Sequence, residues 1–403
     1  MSLYTYTAKS GPNKILKGSI EAESQQQAIN KLTQLGLFPL SVVNEQLSLS
    51  GQGRSRRAPK ISNKDLVQFT RQLSTLIDSG VNIVDALNIV TSQINNKYFK
   101  LILKDISGKL KDGKPLSEGM GLYPKLFPGV YTAMVRIGEI SGGLNSSLKN
   151  LADFMEKEEE FKNSLISSLT YPFFVLFVGV LTVVVLLMFV IPRLVSMFDD
   201  MGQALPLPTK ILINTSGFLR QYWWLIIIIL AGSGFMWKRA KRNPQARMAI
   251  DGFKLKLVLF GQIILKTEIG RLMRTLSLLL SSGVSIIPSL EISEMSLGNE
   301  VLRADVSKFK GEISNGASFS GVLGSSKHFP QFVTNIVAVG EETGSLGKSL
   351  MRIADDYEKD VDRMLKALTR LSEPIIILAM GVIVGFIVMS MLLPIFQINL
   401  TAQ

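Results

Sequence analysis

The sequence has no cysteine and a single histidine, His328. Disulfides and thiolate metal sites are thereby excluded, and so is any site that needs two imidazoles. A secretory leader is not expected either. MSLYTYTAKSGPNK has neither the basic start nor the apolar run of one. Charge is missing from three long stretches: residues 172–191 (PFFVLFVGVLTVVVLLMFVI), 222–237 (YWWLIIIILAGSGFMW) and 374–395 (PIIILAMGVIVGFIVMSMLLPI). Twenty helical residues at about 1.5 Å each cover the hydrocarbon core of a bilayer, about 30 Å. All three stretches are expected to span a membrane, and Trp223, Trp224 and Trp237 stand at the ends of the second, where aromatic belts form.

Elsewhere charge is plentiful. Forty-four Lys and Arg against thirty-two Asp and Glu give a net charge of +12, yet the overall hydropathy is positive. Sizeable polar domains attached to a few apolar helices would combine the two. The basic balance needs no nucleic acid, for which no motif exists. KRAKRNPQARMAIDGFKLK follows the second stretch with seven Lys or Arg, and Lys359, Arg363, Lys366 and Arg370 precede the third. Basic flanks stay in the cytoplasm, so three alternating spans place the N-terminus inside and the C-terminus outside.

The chain also repeats itself. IGEISGGLNSSLKNLADFMEKE at 137–158 returns as VGEETGSLGKSLMRIADDYEKD at 339–360, identical at ten of twenty-two positions and 202 residues apart. RQLSTLIDSGV at 71–81 returns as RTLSLLLSSGV at 274–284, identical at seven of eleven. Repeats this far apart are duplicated domains. Leu66, Phe69, Leu73 and Leu76 recur at helical steps, as do Leu272, Leu276 and Leu279, and Gly80 and Gly283 follow as helix stops. Leu144, Leu148, Leu151 and Met155 form a second stripe, echoed by Leu346, Leu350, Ile353 and Tyr357. Each copy then runs through a charged stretch into Pro172 or Pro374, an apolar span, and a closing Pro192 or Pro394. The duplication therefore includes a membrane helix. Two tandem copies both exit outward, and 222–237, which has no partner in the repeat, supplies the return.

Ahead of the repeats, 3–7 and 15–21 alternate as strands, Ser24 caps a helix ended by Gly36, and LSVV closes as a third strand. Residues 47–60, LSLSGQGRSRRAPK, read as a linker.

Catalytic chemistry is hard to find. GEETGSLGKS ends in Gly347-Lys348-Ser349, but Glu342 stands where a phosphate loop needs its first glycine. His328 has no acid or nucleophile at a known spacing. Glu139 and Glu341, like Asp153 and Asp355, recur in the repeat; they could cap a helix, pair with arginine or bind a divalent cation, with capping or pairing expected. Arg71 and Arg274, Gly80 and Gly283, and Gly138, Glu139 and Gly142 with Gly340, Glu341 and Gly344 are the candidate structural or partner-contact residues. No catalytic, cofactor or metal residue is assigned.

YTYTAKSGPNKILKGSIEAESQQQAINKLTQLGLFPLSV, FTRQLSTLIDSGV, GEISGGL and GEETGSL, in that order and with that duplication, resemble the type II secretion F protein family, the platform proteins of type II secretion systems and type IV pili. The resemblance covers nearly the whole chain. It implies a mainly α, polytopic protein of the bacterial inner membrane, with three transmembrane helices, two duplicated cytoplasmic helical-bundle domains and a small N-terminal α/β unit. The expected division is an N-terminal unit at 1–46, a linker at 47–60, a first cytoplasmic domain at 61–171 and a span at 172–191. A periplasmic loop at 192–221, a span at 222–237, a basic connector at 238–267, a second domain at 268–373, a span at 374–395 and a periplasmic tail at 396–403 follow. The resemblance further implies no enzymatic activity. Its expected partners are a hexameric cytoplasmic assembly ATPase, pilins or pseudopilins, other inner-membrane assembly proteins, membrane lipid and further copies of the chain as a homo-oligomer. A small-solute transporter or channel built from duplicated units is the alternative, although such proteins place polar or broken helices at mid-membrane.

Overall fold

The structure is a computed structural model that describes residues 2–9, 15–22, 25–44, 61–192, 207–240, 243–258 and 260–401. Ser24, the linker at 47–60 and part of the KRAKR cluster lie outside these residues. The chain divides into two units, residues 1–60 and 61–403. In the first, strands β1 (Ser2–Lys9), β2 (Ile15–Ala22) and β3 (Phe38–Asn44) form an antiparallel sheet with β1 in the middle. Helix α1 (Gln25–Gln34) buries Ala28 and Leu32 against Ala22, Tyr6 and Ile20.

The second unit is helical, and its order repeats. The first copy has α2 (Asn63–Asp78), α3 (Ile83–Gln93), α4 (Lys97–Lys111), α5 (Leu116–Gly121), α6 (Gly129–Ser141) and α7 (Leu144–Val185). Helices α8 (Leu207–Ala240) and α9 (Pro244–Lys256) intervene. The second copy has α10 (Phe260–Ser281), α11 (Ile286–Ser296), α12 (Glu300–Ser314), α13 (Phe319–Ser325), α14 (Gln331–Glu342) and α15 (Leu346–Thr401).

The local signals are used twice. Asn96 accepts hydrogen bonds from the N–H groups of Tyr98 and Phe99 at the start of α4, and Asn299 does the same for Val301 and Leu302 at the start of α12. Gly80 and Gly283 end α2 and α10 in the left-handed region, at φ of 83° and 91°. The apolar stripes meet in two cores. One gathers Phe69, Leu73, Leu87, Phe99, Leu103 and Leu148; the other gathers Leu272, Leu276, Leu302, Val333, Leu350 and Ile353. Each fully buried large apolar side chain contributes about 1.5–3 kcal/mol relative to exposure.

Two helices are long and apolar enough to cross a membrane, Leu144–Val190 and Leu346–Leu393. They are not the core helices of a soluble bundle. Only 6% and 11% of their most apolar windows are buried, and side chains such as Phe173, Phe177, Ile377 and Val382 face outward. The two helices run side by side in register. The hydroxyl of Tyr171 donates to Glu373 at 3.2 Å, and a Cβ on Gly179 would meet the Sδ of Met380. Tyr171 and Glu373 are equivalent positions, so the copies sit the same way up.

Three features differ from the sequence expectation. Residues 207–221, expected in a loop, are helical, and Tyr222 marks a kink within α8 (φ −114°, ψ 15°). The connector at 238–267 contains α9, which Asn243 caps. The prolines do not end helices: α7 runs through Pro172, and α15 runs through Pro374 and Pro394. A helix-interior proline leaves the carbonyl four residues earlier without its donor. The fold fills the vacancies left by Pro172 and Pro394, and a third at Pro192, from neighbouring helices. Ser168, four before Pro172, accepts from the Thr369 hydroxyl of α15 at 2.9 Å, a hydrogen shared with the Leu365 carbonyl of its own helix, also at 2.9 Å. Ser390, four before Pro394, accepts from Thr209 of α8 at 2.6 Å. At residues 186–190 the helix relaxes into a π turn, whose five-residue step would ask Pro192 to donate to Leu187. Ser216 of α8 donates there instead, at 2.5 Å. Where water is absent, such substitution is what allows a broken ladder to persist.

Thr369→Val should therefore weaken the α7–α15 pair by about 1 kcal/mol, the scale of hydroxyl bonds between membrane helices. With Pro172→Ala in place, Ser168 regains a backbone donor and the same Thr369→Val should cost little. Thermal unfolding of the full chain in detergent, run as a double-mutant cycle, reads the difference; additive effects would contradict the assignment.

Candidate functional site

The repeated phrase folds into a corner that joins three helices in each copy. Gly138 on α6 lies so close to α7 that a Cβ would come within 2.8 Å of the Leu144 Cα and 2.9 Å of the Ser147 Cβ. Gly340 on α14 plays the same part, with the Ser349 Oγ at 2.7 Å and the Leu346 Cα at 3.1 Å. Gly142 and Gly344 then reverse the chain at φ of 69° and 65°. A side chain there costs about 1–2 kcal/mol.

The glutamate beside each close-contact glycine points away from that corner. Glu139 accepts from the backbone N–H groups of Leu116 and Ser117 and from the Ser117 hydroxyl, at the start of α5. Glu341 accepts from the N–H groups of Phe319 and Ser320, at the start of α13, at 2.6 and 2.8 Å. Both carboxylates thus satisfy orphan donors at a helix start: α5 follows Pro115 and has no side-chain cap of its own, while at α13 Glu341 adds to the cap that Ser318 gives Gly321. Among the described residues no group of three or more His, Asp or Glu side chains is placed to hold a metal ion.

The arginines tie the first helix of each copy to the long one. Arg71 on α2 holds Asp153 at 2.5 Å and grips Glu156 through both Nε, at 2.6 Å, and a terminal nitrogen. Arg274 on α10 holds Asp355 at 2.9 Å and Glu358 at 2.7 and 2.6 Å. Glu156 and Glu358, each three residues beyond the repeated aspartate, were not singled out from the sequence, although both are identical in the aligned phrases. The two clasps differ in burial, with Arg274 only 2% exposed and Arg71 34%. Hydrogen bonding from Arg71 holds Glu156 below the usual carboxylate range. Burial pushes Glu358 up, against the pull of Arg274. The remaining polar candidates are structural. His328 sits 2.7 Å from Asp305, and Gly347 packs its backbone on the Ser277 hydroxyl.

Three outcomes follow. Gly138→Ala and Gly340→Ala should both destabilise the full chain, because the new Cβ would lie 2.9 Å from the Ser147 Cβ or 2.8 Å from the Ser349 Cβ, atoms that no rotamer change moves; lowered melting temperatures in detergent check this. Arg274→Met should cost about 3 kcal/mol, as expected for breaking a buried pair, against less than about 1 kcal/mol for Arg71→Met. The lowered Glu156 pKa gives a contribution that is present above the ordinary glutamate value and lost as pH falls through the folded value. The raised Glu358 pKa works oppositely: its contribution is full below the ordinary value and lost as pH rises through the folded one. Arg71→Met should accordingly flatten the acid limb of stability.

The chain matches known proteins over nearly its whole length. The family described as type II secretion system (T2SS), protein F, matches this chain twice, over residues 69–192 and 272–394. The family's N-terminal domain matches residues 1–43. The two longer matches coincide with the duplication. The chain is 37% identical to the type IV pilus assembly protein PilC of Thermus thermophilus over 402 residues, covering 99% of this chain and 98% of the relative. It is 32% identical to the type II secretion system protein F of Xanthomonas campestris pv. campestris, over 99% of both chains. It is 33% identical to PilC of Pseudomonas aeruginosa, over 91% of this chain and 97% of that one. A duplicated bundle with a Gly-Glu corner, an arginine clasp and a long exit helix in each copy, matched end to end by these relatives, places the chain in the type II secretion system protein F family.

Proposed function

We propose that the chain is the inner-membrane platform that couples a cytoplasmic assembly ATPase to the extraction and polymerisation of pilins or pseudopilins. One observation carries the reading. In each copy a single unbroken helix leads from the core of the polar bundle into the apolar segment, so a displacement of the bundle is a displacement of the membrane helix. In the first copy the same α7 carries Leu148 and Leu151 in the bundle core and Phe173 and Phe177 on its outward apolar face. A lever of this kind has no need of a catalytic centre.

The membrane topology belongs to the same proposal. Helices α7 and α15 exit, α8 returns through 222–237, the N-terminal α/β unit and both bundles lie in the cytoplasm, and the C-terminus is periplasmic. The basic run after α8 and the basic residues before 374 support it. The outward apolar faces of α7 and α15 offer docking to the apolar helix of a pilin as well as to lipid. The ATPase would meet the polar faces of the bundles.

A clean deletion in the source bacterium, with a complemented strain beside it, tests the proposal. Loss of surface pili alone assigns the chain to a type IV pilus, and loss of secreted proteins alone assigns it to type II secretion. Persistence of both, with no second gene copy present, rules the platform out.

A further inference from the structure

The two bundles touch each other through unlike faces. Helices α6 and α7 of the first copy pack on α10 and α11 of the second. A Cβ on Gly129 would lie 3.9 Å from Ile292 and 3.9 Å from the Sδ of Met295. Leu278 and Leu279 join the first copy's core, with Val284 and Ile292 against it, and Arg271 on α10 pairs with Glu158 on α7 at 3.4 Å. Were the copies related by a true two-fold axis, α14 would pack on α2 and α3 in the same way. Among the described residues no comparable contact is made.

The faces left over are therefore the equivalents of two faces that already fit one another. Their exposure shows it. Leu278 and Leu279 of the used face are 7% and 0% exposed, whereas the equivalent Thr75 is exposed and Leu76 half-buried. Ile292 is half-buried, and its equivalent Ile89 is 40% exposed. On the other side Val130 of α6 is 8% exposed while its equivalent Phe332 of α14 is 51% exposed, and Val339 two turns further on is 57% exposed. A heterologous contact that does not close on itself propagates from one molecule to the next.

We infer that the α14 face of one molecule docks on the α2–α3 face of a second copy, repeating between chains the contact that joins the two bundles within one. The membrane permits this. Because α7 and α15 run parallel and in register, applying the same relation again keeps every copy the same way up in one bilayer. The intermolecular version is the more polar of the two, with Thr75 where the second bundle has Leu278 and Ser92 where it has Met295. It is suited to an association that opens and closes, while the covalently joined pair stays shut. The inference goes beyond the platform reading and does not depend on it.

The absence of cysteine makes the test direct. Gln331 and Ile89 are the equivalents of Gly129 and Ile292. Full-length chain carrying Gln331→Cys with Ile89→Cys, treated in native membranes with a short bismaleimide, should give a covalent dimer and, since each copy carries both cysteines, higher species above it. Co-expressed single variants should give the dimer band, and neither single variant alone should. Gly129→Cys with Ile292→Cys should close within one chain and serves as the control for folding and reactivity. Adding Phe332→Asp should reduce the dimer about tenfold, equivalent to about 1.4 kcal/mol, and leave the control pair unchanged. The inference falls if no dimer forms while the control closes. It falls equally if the Gln331–Ile89 pair links within one chain, if a single variant links to itself, or if the link forms only where residues 1–60 have been removed, since the N-terminal unit would then be the occupant.

Discussion

A carbonyl that loses its donor inside a bilayer has nowhere to turn but another helix. Pro172, Pro192 and Pro394 each leave a carbonyl without its donor, and in each case a hydroxyl from a neighbouring helix answers it. Thr369 reaches Ser168, Thr209 reaches Ser390 and Ser216 reaches Leu187. Apolar packing between membrane helices has little directional preference, because lipid tails are as apolar as leucine. The proline carbonyls supply direction. They fix the height of α15 beside α7 and that of α8 beside both, and the register of the bundles beneath follows from the continuity of the long helices.

The bundles are held to those helices by a different device. A Gly-Glu pair lets one helix approach the long helix closely and uses the neighbouring carboxylate to finish a short helix elsewhere in the bundle. An arginine from the first helix then closes the opposite side. The same set of groups serves both copies, but in different surroundings. Around Arg274 the site is drier than around Arg71, and equivalent glutamates respond in opposite directions. Duplication preserved the geometry while the electrostatics diverged, as befits two modules of which one is covered by the other.

That cover is what makes the copies unequal. A tandem repeat could have closed into a symmetric pair and exhausted its contacts. Here the second bundle presents its first two helices to the first, and the reciprocal faces stay open. In this member of an assembly family, helices continuous from bundle to apolar segment stand beside bundle faces that meet no equivalent face among the described residues.

Much of this was legible in the residues. The duplication, the apolar stripes, the stop glycines and the continuation of each copy into a membrane segment are local or periodic signals, and local signals survive without a fold. The pairing of Arg71 with Asp153 was open as one of several roles for a repeated carboxylate. The partners Glu156 and Glu358 stood identical in the aligned phrases but unremarked, since nothing local says which charged residue on a solvated-looking helix turns inward. Pro172, Pro374 and Pro394 look like ends in the sequence, yet the helices run through them, for a related reason. Proline breaks a helix by removing one donor, and whether the break takes effect depends on a replacement that comes from 181 or 201 residues away. By itself the sequence determined what each segment is: two copies of one bundle, each with an apolar exit helix. Only the tertiary structure decided which faces meet, because equivalent residues such as Ile89 and Ile292 have the same chemistry and differ only in what the fold sets against them.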